Sequence, residues 1–184
     1  SEFCEDAYMG RPIQKKALIQ TERLMLKPFT LSDKDCLADL LTDQQITKTF
    51  MVTDFETAAQ ARALAEKLIR FSQIDDTRHL EYGIYVHGRL IGFINDCGIE
   101  DDSIEIGYAI HPDEQGKGYA TEAVRAVLRE LREMGFKKVT AGFFSGNSAS
   151  RRVMEKCGMK QNELVSHIDY RGVLHKCFHF EICL

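Results

Sequence analysis

The sequence lacks the long apolar runs and the charge bias that would place it in a membrane or on a nucleic acid. No stretch among its 184 residues approaches the roughly 20 apolar residues that span a bilayer. Its first residues are acidic and have no apolar core like that of a secretory signal. Lys and Arg number 24 against 28 Asp and Glu, a net charge of −4, whereas nucleic-acid-binding domains usually carry a basic surface. We therefore expect a cytoplasmic protein that binds neither nucleic acid nor membrane.

Proline, tryptophan and cysteine motifs are scarce as well. The chain has three Pro, no Trp and six Cys, and the cysteines form neither a C-x-x-C pair nor a zinc-like spacing. We therefore expect reduced thiols and no metal site. Because the chain has no repeat, low-complexity tract or flexible linker, residues 1–184 predict a single domain, with residues 1–19 as a flexible or peripheral N-terminal segment. The expected oligomeric state is a monomer or a homodimer.

What the sequence does contain is a series of alternating and helical hydrophobic patterns that predict a mixed α/β fold. The predicted strands are Arg23–Phe29, Leu80–Val86, Leu90–Cys97, Ser103–Ile110, Lys138–Phe144, Lys160–Val165 and Leu174–Cys183. The predicted helices begin at Ser32–Asp35, at Thr53–Glu56, at Tyr119 (to Met134) and at Asn147 (to about Gly158). Short turns predict antiparallel hairpins, whereas the strand–helix–strand order around Tyr119–Met134 predicts one parallel pair. The expected sheet is mixed, mostly antiparallel and about seven-stranded, with helices on both faces.

A segment with two glycines joins the strand Ser103–Ile110 to the most amphipathic helix. It runs from His111 to Thr121 and places Gly116 and Gly118 where that helix begins. A helix N-terminus has four unpaired N–H groups and about half a positive charge, and glycines let a phosphate approach these groups closely. The segment therefore predicts an anion-binding loop, with a pyrophosphate as the expected ligand.

Three phosphate-binding patterns can be compared with this segment. The P-loop is excluded because Lys117 is followed by glycine rather than Ser or Thr. The dinucleotide fingerprint fails because Thr121 stands at its third glycine, which weakens the alternative of a nucleotide-binding oxidoreductase. The pattern Q-x-x-G-x-G/A is satisfied in full by Gln115–Ala120. A match to this one pattern leaves an alternative open, namely a glycine-rich loop that only reverses the direction of the chain and binds no phosphate.

Three blocks of sequence together resemble the GNAT family of N-acetyltransferases, and within it the RimJ and RimL branch. The blocks are Glu105–Pro112, Gln115–Glu122 and Asn147–Met159, and the resemblance runs from about Gln20 to the last strand. It implies acetyl-CoA as donor and an amine as acceptor, either a protein N-terminus or a small-molecule amine. It also implies a sheet splayed at the parallel pair, with the pantetheine arm of the cofactor in the gap.

The resemblance also implies which residues bind the cofactor. The backbone of the loop before and at the start of the helix would hold the pyrophosphate, and the end of the preceding strand would bind pantetheine and the thioester oxygen. Asn147 stands at a family position that contacts the cofactor, and it is also a plain candidate for a helix N-cap. The full set is Tyr108, Ala109, Ile110, Gln115, Gly116, Lys117, Gly118, Tyr119, Ala120, Thr121, Asn147, Ser150 and Arg151.

Glu105 and Ser150 are the predicted catalytic residues. An acceptor amine is protonated near neutral pH, so Glu105, directly or through a water, would take its proton, although a solvated carboxylate at a strand start is the simpler reading. Many family members carry a tyrosine acid where this sequence has Met154, so Ser150 or water would protonate the leaving thiolate, with Tyr170 next in line. Met154 also motivates the alternative of a non-catalytic acyl-CoA-binding module.

Other chemistry-bearing residues give weaker hypotheses. A metal cluster of His175, Cys177 and His179 on the last strand lacks a fourth ligand, which favours packing. Neither Cys97 nor Cys157 is paired in sequence with a histidine, as an acyl-carrying nucleophile would require.

The acceptor cannot be identified from a motif. The segments expected to select it are the loops Thr42–Asp54 and His167–Gly172. Tyr82, Tyr85 and Tyr170 are candidates to line its pocket, with at most one of the first two facing it, since their side chains should point to opposite faces of a strand.

Overall fold

Alternating apolar residues and short turns build one mixed sheet in the computed structural model, which describes residues 13–75 and 78–184. Within this part of the chain the strands are β1 (Ile19–Gln20), β2 (Met25–Lys27), β3 (Glu81–Val86), β4 (Arg89–Glu100), β5 (Ser103–Ile110), β6 (Lys138–Phe144), β7 (Lys160–Tyr170) and β8 (Val173–Cys183). The helices are α1 (Lys34–Thr42), α2 (Gln44–Thr47), α3 (Ala58–Gln73), α4 (Tyr119–Glu133) and α5 (Ser148–Lys156). The strand order across the sheet is β1-β2-β3-β4-β5-β6-β8-β7.

Helices cover both faces of the sheet, as predicted. One hydrophobic core lies between the sheet and α4 with α5, and a second lies between the sheet and α1 with α3. Helix α4 begins and ends near the predicted positions because its apolar residues recur at helical spacing. Its buried face includes Ala123, Val124, Val127 and Leu131. Fully burying a Val or Leu side chain of this kind contributes about 1.5–3 kcal/mol.

The parallel pair expected from the strand–helix–strand order joins β5 to β6. Pairing covers only Ser103, Ile104 and Glu105 on β5. Beyond Glu105, β5 stays paired with β4 as far as Ile110, and β6 stays paired with β8 as far as Phe144. The sheet therefore splays between β5 and β6, and this gap lies beside the start of α4.

The predicted number of strands and several predicted boundaries differ from those in the structure. The sheet has an eighth strand, β1, which is too short to leave an alternating pattern. The predicted final hairpin is also longer, because β7 continues through His167–Tyr170 and the turn is Arg171–Gly172, both with positive φ. Much of β7 is exposed, so its sequence shows few of the apolar residues that mark a strand.

Both predicted capping boxes are displaced from their predicted positions. The first is formed by Thr30 with Asp33, before a single 3₁₀ turn that leads into α1. The second is formed by Thr57 with Gln60 and opens α3. Both segments contain Thr, Asp and other capping residues at several neighbouring positions, and so more than one position satisfies the capping-box pattern. Helix α2 follows a cap by Asp43 that was not predicted.

Part of the N-terminal segment packs on the domain. Ile13 and Ile19 are buried in the core beneath α4, whereas residues 1–12 of the predicted flexible or peripheral segment lie outside the described residues. The five described cysteines, Cys36, Cys97, Cys157, Cys177 and Cys183, are free thiols, and Cys4 lies outside this part. Across residues 13–75 and 78–184, the helices are too short or too polar to cross a bilayer.

Candidate active site

The glycine loop forms an open backbone cradle at the start of α4. Gly118 is the N-cap of the helix and has φ +82°, and Gly116 has φ +77°, values that glycine adopts without strain. A Cβ atom built on Gly116 would meet no atom within 4 Å, so that side of the loop is free. The first N–H groups of α4 face this space without helical partners. The residues therefore fit a pyrophosphate, whose negative charge the helix N-terminus would stabilise.

Two side chains of the loop, Gln115 and Lys117, make contacts within the protein that hold the loop in place. The Gln115 amide nitrogen donates to the carbonyl oxygen of Ile110 at 2.9 Å, which ties the loop to the end of β5. Lys117 Nζ lies 2.9 Å from a carboxylate oxygen of Glu114, which also pairs with Arg89. The Lys117 hydrogen bond, followed by the charges of Lys117 and Arg89, lowers the pKa of Glu114.

Arg23, from the segment before β2, was not among the predicted site residues but contacts the loop at several points. Its Nη1 atom donates to the carbonyl oxygen of Lys117 at 2.8 Å, and its Nε atom lies 2.7 Å from a carboxylate oxygen of Glu122. Its guanidinium also stacks over the Tyr119 ring, 4.6 Å from the centroid. Arg23 therefore links the N-terminal part of the chain to both sides of the cradle.

Glu105 marks the point at which β5 and β6 separate. Its side chain lies on the same face of β5 as Ala109, which packs in the core with α1 and α3. One carboxylate oxygen would lie 3.6 Å from a Cβ built on Gly142, and the His179 ring would lie 3.2 Å from the same point. The absence of a side chain at Gly142 thus leaves room beside the carboxylate at the splay. This position suits a general base, and that role for Glu105 stays a prediction.

Tyr108 and Ile110 face the other side of β5. Both pack in the core with α4 and α5, so the two faces of this strand present different chemistry: a carboxylate on one side and a phenol on the other. The Tyr108 hydroxyl is buried and has no hydrogen-bond partner among the described residues. The phenol hydroxyl therefore keeps unused hydrogen-bonding capacity.

Asn147 and Ser150 form one hydrogen-bonded unit at the start of α5. The Asn147 side-chain oxygen accepts from the Ser150 N–H at 3.1 Å, and its nitrogen donates to Ser150 Oγ at 2.9 Å. Asn147 is thus a helix N-cap, and each of its polar atoms keeps further hydrogen-bonding capacity. Met154 is buried in the core, so it packs and supplies no proton.

The predicted cofactor residue Arg151 points towards the aromatic residues of β6 and β8. Its guanidinium lies 5.5–5.8 Å from the centroids of Phe143, Phe178 and Phe180, and it donates to Gln161. The side chain is therefore occupied in this structure by contacts within the protein.

A small pocket, partly open to solvent, lies between α1, α3 and the sheet. Its lining is mainly apolar, and the rings of Phe50 and Phe93 meet there edge to face, with centroids 5.1 Å apart. Glu81 and Asn95 are its polar residues. A Cβ on Gly107 would lie 3.3 Å from both Asn95 Oδ1 and the Phe50 ring, so this pocket reaches the Glu105 face of β5.

Tyr170 connects the two segments predicted to select the acceptor. Its hydroxyl donates to the carbonyl oxygen of Thr47 at 2.6 Å and accepts from the Val52 N–H at 3.3 Å. Arg171 adds a bond to the Val52 carbonyl and an ion pair with Asp54. The segment after α2 and the β7–β8 turn are therefore joined, and Val52 belongs to the pocket lining.

The structure does not bring the other two predicted tyrosines to this pocket. The Tyr82 hydroxyl donates to the Lys16 carbonyl in the α4-side core, and the Tyr85 hydroxyl donates to Asp33. Burial raises the pKa of both phenols.

The weaker sequence hypotheses describe residues with other contacts. His175 stacks on Phe144, and His179 Nε2 lies 2.8 Å from Ser166 Oγ. Among residues 13–75 and 78–184, no three His, Cys, Asp or Glu side chains are grouped as metal ligands. Burial raises the pKa of Cys157 to about 11; desolvation, followed by the charge of Glu105, also raises that of Cys97. Neither thiol has the lowered pKa of an activated nucleophile.

The fold and the cradle together define an acyl-CoA-dependent transferase of the splayed-sheet type, and comparison with known proteins agrees. The profile of the acetyltransferase (GNAT) domain matches residues 23–160. The chain is 24% identical to the uncharacterised N-acetyltransferase YoaA of Bacillus subtilis, over 84% of this chain and 89% of that protein. It is 29% identical to YnaD of the same organism, over 78% of this chain and 82% of that protein.

Solved structures share the fold. A GNAT acetyltransferase from Bacillus anthracis superposes with a TM-score of 0.76 at 25% identity, covering 90% of this chain and 98% of that one. The ribosomal-protein acetyltransferase RimL, in complex with coenzyme A, gives 0.75 at 17% identity, over 91% and 98% of the chains. The chain belongs to the GNAT family of acetyltransferases, and it is an N-acetyltransferase that uses acetyl-CoA.

Proposed function

We propose that this enzyme transfers the acetyl group of acetyl-CoA to a primary amine by direct attack within a ternary complex. When bound, acetyl-CoA supplies an activated thioester; the amine nitrogen forms a bond to the acetyl carbon as the C–S bond breaks. The observation that carries the proposal is the placement of the open cradle of Gly116 and Gly118 at the end of the strand that bears Glu105.

The chain's own residues divide this work between the two faces of β5. The cradle and the start of α4 hold the pyrophosphate, and the β5 backbone from Tyr108 to Ile110, unpaired on its β6 side, has hydrogen-bonding groups for an extended ligand. On the α1–α3 face, Glu105 accepts the amine's proton directly or through a water. Ser150, whose hydroxyl accepts from Asn147, keeps its own proton to donate on the α5 side.

The acceptor is a protein N-terminus or a small-molecule amine that enters beside the contact between the Thr47–Asp54 segment and the β7–β8 turn. Support comes from the bonds that Tyr170 and Arg171 make across this boundary and from the pocket next to Gly107. The pocket is mainly apolar, which favours an amine carried on an apolar group over a polyamine.

A thiol-release assay with acetyl-CoA and a panel of amines tests this proposal. The panel contains peptides with free N-termini, the same peptides with blocked N-termini, polyamines and apolar primary amines. We expect turnover with at least one free amine, and none with the blocked peptides. Binding of CoA without turnover on any amine, with the full chain folded, would instead favour the non-catalytic acyl-CoA-binding alternative.

A further inference from the structure

The Tyr108 hydroxyl is a buried polar group whose hydrogen-bonding capacity is unused in the described part of the chain. It lies on β5 and has no hydrogen-bond partner among the described residues. Leaving a buried hydroxyl unpaired destabilises a folded protein, so such groups usually pair with a ligand or water when they are retained. The ring packs against the α4-side core, which holds the hydroxyl in place.

The position of this hydroxyl coincides with the splay. Pairing between β5 and β6 ends at Glu105, three residues earlier, so Tyr108 lies in the part of β5 that borders the gap. The groups that influence it are Ser150, in α5, and Cys157, which directly follows α5, so the phenol faces that helix. Ser150 lies close to the phenol but outside hydrogen-bonding geometry.

We propose that the Tyr108 hydroxyl donates a hydrogen bond to the sulfur of the acetyl donor and stabilises the departing thiolate. This proposal rests on the proposed function, since it needs an acyl-CoA in the gap. In α5 the position of the usual family tyrosine is occupied by Met154, which is apolar and buried. The proposal gives the role of that tyrosine to Tyr108 on β5. Tyr108 on β5 and Ser150 on α5 would approach the sulfur from two sides.

The phenol is protonated and so able to donate. Burial raises the pKa of Tyr108 to about 12, an effect that the Ser150 hydroxyl opposes. Because a free thiol titrates near 8.5, Tyr108 keeps its proton and contributes a hydrogen bond rather than a proton transfer. The protons balance without another reactant: the ammonium group first releases one proton to solvent through Glu105, the nitrogen loses a second as the C–N bond forms, and the sulfur gains one as the C–S bond breaks.

The test compares CoA with desulfo-CoA, which lacks the sulfur, in Tyr108→Phe and the wild type. We expect the wild type to bind CoA more tightly than desulfo-CoA, and Tyr108→Phe to shrink that preference by about 3–10-fold while its affinity for desulfo-CoA stays unchanged. We also expect kcat to fall by about 10–100-fold. The melting temperature of Tyr108→Phe without ligand should equal or exceed that of the wild type, because an unpaired buried hydroxyl has been removed.

Tyr82→Phe is the matched control. Tyr82 belongs to the core against which Tyr108 packs, but its hydroxyl donates to the Lys16 carbonyl at 2.7 Å. Removing it should lower the melting temperature and leave both the CoA preference and kcat unchanged.

Two results would overturn the proposal, and both are separable from failure of the proposed function. The first is a wild type that binds CoA and desulfo-CoA equally, which needs no variant at all. The second is a Tyr108→Phe protein whose kcat and CoA preference remain within twofold of the wild type. A wild type that binds neither compound would instead contradict the proposed function itself.

Discussion

At the scale of single residues, the proposed acetyl transfer depends most on the Glu105 carboxylate, where β5 and β6 separate. Glu105→Gln keeps the shape of the side chain and removes its basicity, so kcat should fall by about 10²–10⁴-fold while CoA affinity stays near that of the wild type. The control is Glu100→Gln, which neutralises an exposed carboxylate at the end of β4. Steady-state kinetics with calorimetric CoA titration separates the two effects, and a loss below threefold would make Glu105 structural.

A second residue-scale prediction concerns the pocket carboxyl Glu81. Burial, followed by the charge of Asp96, raises its pKa well above the ordinary value, whereas Lys15 opposes the shift. The folded state therefore keeps the proton that the unfolded chain releases above about pH 4.3, and wild-type stability is lost as pH rises from there through the raised pKa.

The matching variant is Glu81→Gln, which cannot ionise. Its melting temperature relative to the wild type should therefore increase as pH rises from about 4.3 through the raised pKa of Glu81. Melting curves of both proteins at a series of pH values measure the difference. If the Glu81→Gln and wild-type curves run parallel instead, the carboxyl is ionised in the folded protein.

Residue types within a continuous motif could be predicted from sequence, whereas contacts between distant residues could not. Gly116, Gly118 and Glu105 could be proposed as site residues because each stands at a characteristic place in a local pattern, and their roles stay predictions. Arg23 lies far along the chain from the loop it contacts, and its arginine side chain alone does not indicate that partner. The lack of a hydrogen-bond partner for the Tyr108 hydroxyl likewise depends on tertiary packing, which a local sequence pattern does not predict.

At the scale of elements, the start of α4 depends on a support outside its own sequence. Arg23→Gln removes the bonds to the Lys117 carbonyl and Glu122, so the cradle should lose its fixed shape. We expect the KM for acetyl-CoA to rise by about 3–30-fold, with a smaller change in kcat at saturation, because positioning is lost but the reacting groups remain. Arg62→Gln, on the exposed face of α3, should change neither constant; equal KM values for both variants would refute the role of Arg23.

Elements with strong periodicity were predicted well, and elements defined by capping or by edge pairing were not. Helix α4 shows a complete apolar stripe, so its limits follow from its sequence. The starts of α1 and α3 lie in segments with several competing cap residues, where tertiary packing decides which one is used. The far half of β7 pairs with β8 through its backbone while exposing its side chains, so its pattern resembles a loop.

At the scale of the whole molecule, the two acceptor segments are expected to act together. Tyr170→Phe removes the hydroxyl that bonds to Thr47 and Val52, which loosens the contact between the segment after α2 and the β7–β8 turn. The KM for the acceptor amine should rise several-fold, whereas the affinity for CoA should not change, because the cradle lies on the other side of the gap. Steady-state kinetics at saturating acetyl-CoA measures the first effect; a change confined to CoA binding would contradict this assignment.

Titrating CoA into Gly118→Glu shows whether the donor binds with its pyrophosphate at the start of α4. The added carboxylate fills the cradle, meets the Arg23 guanidinium and repels the phosphates. Gly88→Glu, at a turn with φ +75° and open space around it, imposes the same backbone strain away from the site. CoA binding should be lost in Gly118→Glu and retained in Gly88→Glu, whereas unchanged CoA affinity in a folded Gly118→Glu protein would show that the pyrophosphate binds elsewhere.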